Sequence, residues 1–235
     1  MNIAIIPARG GSKRIPRKNI KDFCGRPVIA YSIDAALSCG LFERVIVSTD
    51  DADIASVARR YGAETPFLRP AELSGDFTAT ADVVIHAIEW LKTGGFSPEN
   101  VCCIYATAPF ITSELLRNSF DKLKTSCATA VFPVTTFPAC IFRALKIGDD
   151  GRLAMIWPEH ELARSNDLPV AYHDAGQFYW LDCGRFMEEK RIYSRDSAPV
   201  ILPRYLVQDL DTTEDWATAE RMFETLRMKG RMYDL

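Results

Sequence analysis

Between Arg9 and Arg26 the chain carries seven lysines and arginines (Arg9, Lys13, Arg14, Arg17, Lys18, Lys21 and Arg26) against one acid, Asp22. The local balance is +6, on a chain whose formal net charge is −3. Cations this dense repel one another, which disfavours a merely solvated basic turn, and a polyanion is the partner that makes the cluster favourable. The order is Ala8-Arg9-Gly10-Gly11-Ser12-Lys13-Arg14-Ile15-Pro16-Arg17-Lys18-Asn19. Gly10 and Gly11 permit a backbone whose N–H groups face phosphate oxygens. Arg9 can fork onto one phosphate. Lys18 can follow negative charge onto a departing pyrophosphate, and Asn19 offers both donors and an acceptor to phosphate or ribose. The loop has neither the GK[ST] of a P-loop nor a GxGxxG dinucleotide turn. The expected chemistry is use of a nucleoside triphosphate, with Arg9 and Lys18 as its catalytic cations.

Far along the chain, Asp209 and Asp211 stand two residues apart. On an extended segment such a pair projects to one face and can meet one hard cation or its waters. Two solvated carboxylates, or Asp211 as a cap of the next helix, are the plainer alternatives.

The elements that must position these groups alternate strand and helix. Asn2–Pro7 is an apolar strand that feeds the basic loop. A helix opens at Pro27-Val28 and stops at Gly40, Arg44–Ser48 is a second strand, and a helix ends at Gly62. Asp50 or Asp51 can cap that helix, Asp50 being the expected one. Thr80 can cap a third helix, Val101–Ala106 is a third strand, Thr112 begins another helix, and Ala128–Val134 is a fourth strand. Short connections between such elements predict an α/β fold: a mostly parallel sheet with helices on both faces and a ligand crevice at the carboxyl ends of its strands. After Phe137 the pattern changes. Arg143–Trp157 reads as a hairpin around Asp149-Asp150-Gly151, followed by a loop to Asp174. Residues 137–173 therefore look inserted into a single domain spanning 1–235, with an apolar tip, Met155-Ile156-Trp157, suited to a second subunit. Gln177–Asp182 and Val200–Val207 return to strand character, Gln177 and Tyr179 sharing a face, and Thr213–Met228 is an amphipathic helix.

At 48% hydrophobic and 25% charged, the 235 residues have an ordinary globular composition. The acidic balance argues against nucleic acid as partner, and no apolar run is long enough to span a membrane. Seven cysteines with no CxxC read as reduced, mostly buried thiols of a cytoplasmic protein, with no zinc spacing.

The string Ile6-Pro-Ala-Arg-Gly-Gly-Ser-Lys-x-Ile-Pro-x-Lys-Asn19 resembles the signature of the cytidylyltransferases that activate nonulosonic, sialic-type acids. Arg69-Pro-Ala-Glu-Leu-Ser74 is similar to that family's nucleotide-contacting segment, and Asp209-Leu-Asp211-Thr-Thr-Glu-Asp-Trp216 to its acidic metal segment. The resemblance runs over the whole chain. It implies a three-layer Rossmann-like nucleotidyltransferase fold and transfer of CMP from CTP to a nine-carbon sugar acid, with pyrophosphate leaving and Mg²⁺ held by Asp209 and Asp211. It implies a nucleotide site of Ala8, Arg9, Gly10, Ser12, Lys13, Lys18, Asn19, Arg69 and Thr80. Arg69 in a surface ion pair and Thr80 as a plain cap stay open beside that reading.

The sugar side departs from the sialic acid enzymes. Their Leu-Gln-Pro-Thr-Ser-Pro-Leu-Arg appears here as Ile104-Tyr105-Ala106-Thr107-Ala108-Pro109-Phe110-Ile111, so Tyr105 and Ile111 replace a glutamine and an arginine where sugar is expected to be read. His173-Asp-Ala-Gly-Gln-Phe-Tyr179 resembles the pseudaminic acid branch instead. An aromatic reader suits a less hydroxylated ligand. The expected sugar contacts are Tyr105, Arg164, His173, Gln177 and Tyr179. Arg164 is equally an interface arginine, and His173 equally a structural one. N-acetylneuraminic and legionaminic acids are the alternative substrates, a non-catalytic nucleotide-binding protein is the alternative class, and a homodimer is expected.

Overall fold

A computed structural model describes residues 1–230. In chain order its strands and α-helices are β1 (Asn2–Pro7), β2 (Asp22–Phe23), β3 (Arg26–Pro27), α1 (Val28–Ser38), β4 (Arg44–Ser48), α2 (Ala52–Arg60), α3 (Thr80–Thr93), β5 (Asn100–Ile104), α4 (Ser113–Ser126), β6 (Ala130–Thr136), β7 (Leu145–Ile147), β8 (Leu153–Met155), β9 (Tyr172–Asp174), β10 (Phe178–Asp182), α5 (Cys183–Glu189), β11 (Ser197–Ile201) and α6 (Thr213–Met228).

The central sheet runs β11-β6-β10-β5-β1-β4, with β9 on β6. β1 is parallel to β4 and β5, and β11 is parallel to β6, while β10 lies antiparallel between β5 and β6. Alternation along β1 divides the core. Ala4 and Ile6 face Ile29 and Ile33 of α1 and Leu116 of α4, while Ile3 and Ile5 face Val84, Ile88 and Leu91 of α3. Adjacent Cys102 and Cys103 divide in the same way, and all seven cysteines are free thiols, four of them buried. The result is three layers, helices on both faces of a mainly parallel sheet.

A third cluster ties the two ends of the chain together. Phe23 stands edge-on to Tyr31, Trp216 and Phe223 with centroids 5.7, 5.6 and 5.5 Å away. Each such pair contributes about 0.5–1.5 kcal/mol beyond the burial itself. Lys21 adds a cation 4.5 Å above the Trp216 ring. Helix α6 is thereby fixed against the segment that leaves the basic loop, which brings Asp211 to Lys18.

Several boundaries differ from the sequence reading. The last strand is Ser197–Ile201, not Val200–Val207. Pro203 has no N–H for a ladder, and a single 3₁₀ turn, Arg204–Leu206, follows it. Helix α5 lacks a long apolar pattern and escapes sequence reading; the Asp182 carboxylate caps it on the Arg185 N–H at 3.0 Å. Asp51, not Asp50, caps α2, accepting from Asp53 and Ile54 N–H at 2.8 and 3.0 Å. Thr80 is the first residue of α3 and caps nothing, because Ala79 holds the cap position. The hairpin β7–β8 forms as expected, around a turn with Gly151 at φ +75°. Leu145, Ile147, Leu153 and Ile156 are exposed on it.

Candidate active site

β1, β4 and β5 run parallel, so the segments that leave them meet along one edge of the sheet. The basic loop leaves β1, Asp50 follows β4, and Tyr105 follows β5. They enclose a cavity of about 310 Å³ lined by Arg9, Ser12, Lys13, Arg14, Lys18, Asn19, Arg69, Asp76, Thr80, Tyr105 and Thr107, among others. Most of the expected nucleotide residues converge there.

Every cation of the cavity meets an oxygen of the protein. Arg9 Nη1 lies 2.8 Å from Asp76 Oδ1, and Lys13 pairs with the other oxygen of the same carboxylate. Those two cations hold the Asp76 carboxyl below the usual carboxylate range. Lys18 Nζ donates to the Leu210 carbonyl at 2.9 Å and to Asp211 Oδ1 at 3.3 Å, and Arg14 reaches the same oxygen at 3.0 Å. Arg69 is buried at 5% exposure and donates to Ser74 Oγ at 3.2 Å, with Asp50 3.8 Å from its guanidinium. Burial pulls its pKa down, and the Asp50 charge opposes that pull. A buried arginine with so little local charge to balance it suits an anionic ligand.

Two residues shape the loop more than they face its contents. Asn19 is buried and donates to the Arg9 carbonyl at 2.9 Å, bracing the loop across its own bend. Gly10 donates its N–H to Asp50 Oδ1 at 2.9 Å, and a Cβ on Gly10 would sit 2.7 Å from Asp51 Oδ2. Glycine there is a requirement of close approach. Ala8 is wholly buried, its N–H bonded to the Ser48 carbonyl at 2.9 Å, so it anchors the loop from the core. Arg17, at φ 53°, turns away to Asp51 and Asp53.

The acidic segment forms the opposite wall. A second cavity, of about 230 Å³, is lined by Lys18, Tyr105, Thr107, Ala175, Gln177, Gln208, Asp209, Leu210 and Asp211. The helix after it is capped by a reciprocal pair: Thr212 accepts from the Asp215 N–H at 3.1 Å, and Asp215 accepts from the Thr212 N–H at 2.8 Å. Asp211 is therefore not the cap. Asp209 makes no ion pair among the described residues. Burial of its carboxyl, followed by the charges of Asp211 and Asp174, pushes its pKa above the usual range. A desolvated carboxylate beside others of like charge is relieved by a cation. No cluster of three or more metal-ligating side chains occurs among the described residues, so the pair alone would supply protein oxygens.

The expected sugar residues separate. Tyr105 lies where both cavities meet, held by its N–H to the Gln177 carbonyl at 2.8 Å and by its carbonyl to Ser32 Oγ at 2.7 Å. Gln177 lines the second cavity, but it stands at φ 49° before β10 and does not share a strand face with Tyr179. Gln177 Nε2 is bonded to the Leu206 carbonyl at 2.6 Å, and its buried Oε1 has no partner. Tyr179 is buried behind Tyr105, ring centroids 5.4 Å apart. His173 stacks on Phe137 at 4.8 Å, bonds the Asp174 carbonyl through Nδ1, and lines neither cavity. Arg164 is exposed on the inserted loop, 3.8 Å from Asp167, and the fold does not bring it to the site. Ile111 is fully buried in the core and reads no sugar.

Residues 3–221 match the family model described as Cytidylyltransferase. The chain belongs to the cytidylyltransferase family. As a member of it, the chain is a CTP-using nucleotidyltransferase. It is 43% identical over 223 residues to a pseudaminic acid cytidylyltransferase of Campylobacter jejuni, an alignment covering 95% of this chain and 96% of that one. It is 32% identical to a CMP-N,N'-diacetyllegionaminic acid synthase of Legionella pneumophila, over 94% of this chain and 96% of that one. Among solved structures it resembles a CMP:2-keto-3-deoxy-manno-octonic acid synthetase complexed with CTP, at TM-score 0.69 and 13% identity over 95% of this chain and 98% of that one. It also resembles the 4-diphosphocytidyl-2C-methyl-D-erythritol synthase of Anaerococcus prevotii, at TM-score 0.64 and 16% identity, again over 95% and 98%. At such identities the two likenesses speak for the fold, a Rossmann-like nucleotidyltransferase architecture.

Proposed function

We propose that this cytidylyltransferase transfers CMP from CTP to pseudaminic acid and releases pyrophosphate. The observation that carries the choice of sugar is the 43% identity, over nearly the whole of both chains, to a pseudaminic acid cytidylyltransferase. The aromatic reader at Tyr105 and the string His173–Tyr179 support it. The more distant legionaminic relative keeps the same reaction on legionaminic or N-acetylneuraminic acid as the second reading.

The cavity's residues fit the reaction. A sugar hydroxyl attacks the α-phosphorus, and charge builds on the departing pyrophosphate. Transfers of this kind depend on positioning and charge neutralisation more than on covalent catalysis. Arg9 and Lys18 are the catalytic cations on the pyrophosphate side, with Lys13 beside them. Arg69 and Thr80 complete the nucleotide wall, with the loop's Gly10 and Ser12 shaping its backbone. Asp209 and Asp211 fit Mg²⁺, as hard oxygen donors of which one lacks any cation partner, and the ion would neutralise phosphate oxygens there.

The inserted segment 137–173 serves as the homodimer contact through its exposed hairpin. Arg164 on that segment is then placed to reach the sugar of a second subunit. No helix among the described residues is long and apolar enough to cross a membrane. The reading places the enzyme in the cytoplasm, where CTP and reduced thiols are found.

The test incubates the purified protein with CTP, Mg²⁺ and each of the three acids separately and records pyrophosphate release. Release with pseudaminic acid is expected. Turnover of N-acetylneuraminate alone overturns the choice of sugar, and CTP binding without release from any acid overturns the enzyme reading.

A further inference from the structure

Asp174 belongs to neither wall described above, yet three tyrosines gather around it. Its Oδ1 accepts from the Gly176 N–H at 3.0 Å. Its Oδ2 accepts from the Tyr179 hydroxyl at 2.5 Å and from the Tyr193 hydroxyl. A phenol has a single proton to donate. With theirs committed to Asp174, Tyr179 and Tyr193 can only accept from any other group. The Tyr179 hydroxyl also meets that of Tyr105. Tyr105 must then donate to Tyr179, and its own oxygen, which also meets the Thr80 hydroxyl, has only lone pairs left to offer. That oxygen matters because Tyr105 lines three cavities at once. Two are the phosphate and acidic-segment cavities, and the third, of about 320 Å³, is lined by Thr80, Tyr105, Tyr179, Arg191 and Tyr193 among others.

We infer that Asp174 is a positioning residue that fixes the direction of the chain Tyr105 to Tyr179 to Asp174, so that Tyr105 presents an obligate hydrogen-bond acceptor to the sugar acid. The group it takes is an N–H or O–H of the sugar, not its carboxylate. The inference rests on the reading of a sugar acid as second substrate. It predicts a residue acting on the sugar through two others without touching it.

The test is a double-mutant cycle on separate KM values for CTP and for the sugar acid. In Asp174→Asn the side-chain oxygen must stay on the Gly176 N–H, so the amide nitrogen faces the tyrosines and donates. Tyr179 is then free to donate to Tyr105, and the direction reverses. Asp174→Asn, Tyr179→Phe and Tyr105→Phe should each raise the sugar KM by about tenfold while the CTP KM stays within about twofold. In the Tyr105→Phe background, Asp174→Asn should add less than about twofold. Full multiplication of the two effects, an equal rise in both KM values, or no change in the sugar KM overturns the inference. If Asp174→Asn does not fold, Tyr179→Phe carries the same cycle with Asp174 intact. The wild type is assayed first with all three acids. Should it take another acid than pseudaminate, the proposed function fails, and the cycle on the accepted acid still decides the role of Asp174.

Discussion

Lys18 Nζ lies 3.3 Å from Asp211 Oδ1, across 193 positions of sequence. This contact closes the site: the basic loop after the first strand meets the acidic segment before the last helix. The aromatic cluster of Phe23, Tyr31, Trp216 and Phe223 sets the distance, because it fixes α6 to the exit of the loop. With CTP bound, the Lys18 ammonium has phosphate oxygens to turn to, and Asp211 becomes available to a cation. Asp211→Asn should therefore leave the fold intact and lower turnover by about 100-fold or more. Steady-state rates at saturating Mg²⁺ check it, and unchanged turnover would remove Asp211 from the metal site.

Removing the loop's cations should act through the nucleotide. Lys18→Ala and Arg9→Ala each lose charged hydrogen bonds to phosphate, worth roughly 10- to 100-fold in kcat/KM for CTP. If both variants keep normal kinetics, the loop is not the phosphate clamp.

Asp76 bridges Arg9 and Lys13, the cations that a triphosphate needs. The nucleotide has to displace it. Asp76→Asn should lower the KM for CTP by up to about fivefold, the scale of an exposed ion pair. Titration of CTP into both proteins measures it, and weaker binding by the variant would show that Asp76 instead orders the cations for the ligand.

Gly10→Ala places a methyl 2.7 Å from Asp51 Oδ2. The cap of α2 or the loop has to shift, at a cost of about 1–3 kcal/mol. Urea unfolding should show that loss together with a raised KM for CTP, since one displacement disturbs both.

The fold was legible where buried strands and helix stops are local. β1, β4 and the helices α1 to α4 stand close to the positions their apolar patterns and glycines mark, and so does α6. The basic loop and Asp209 with Asp211 were legible because charge of one sign concentrates in few residues. What could not be read depends on distant partners. Asp50 looks like a helix cap until the fold sets it against Gly10 and Arg69. Gln177 looks like a strand residue until the turn at Gly176 throws it into the left-handed region. Asp174 looked like an ordinary loop acid, because the tyrosines that meet it come from Tyr179 in β10 and from Tyr193 after α5. The Thr212–Asp215 capping box was present as a T-x-x-D pattern, and it could have freed Asp211 from the capping role at once.

The raised pKa of Asp209 has a sign that can be checked. Its carboxyl holds a proton more readily in the folded, ligand-free protein than in the unfolded chain. The charged form therefore destabilises the empty fold above both pKa values, and stability is gained as pH falls through the folded value. Asp209→Asn should raise the Tm of the ligand-free protein at neutral pH while turnover is lost. Apparent Mg²⁺ affinity of the wild type should decline on acidification, starting above the ordinary carboxylate range. A variant that is no more stable than the wild type would contradict this account of the carboxyl.

The most direct test of the proposed reaction is the identity of its product. Purified protein with CTP, Mg²⁺ and pseudaminic acid should yield a species with the mass of CMP-pseudaminate, and one pyrophosphate for each. No such species with pseudaminate, with conversion of N-acetylneuraminate or no conversion at all, would contradict it.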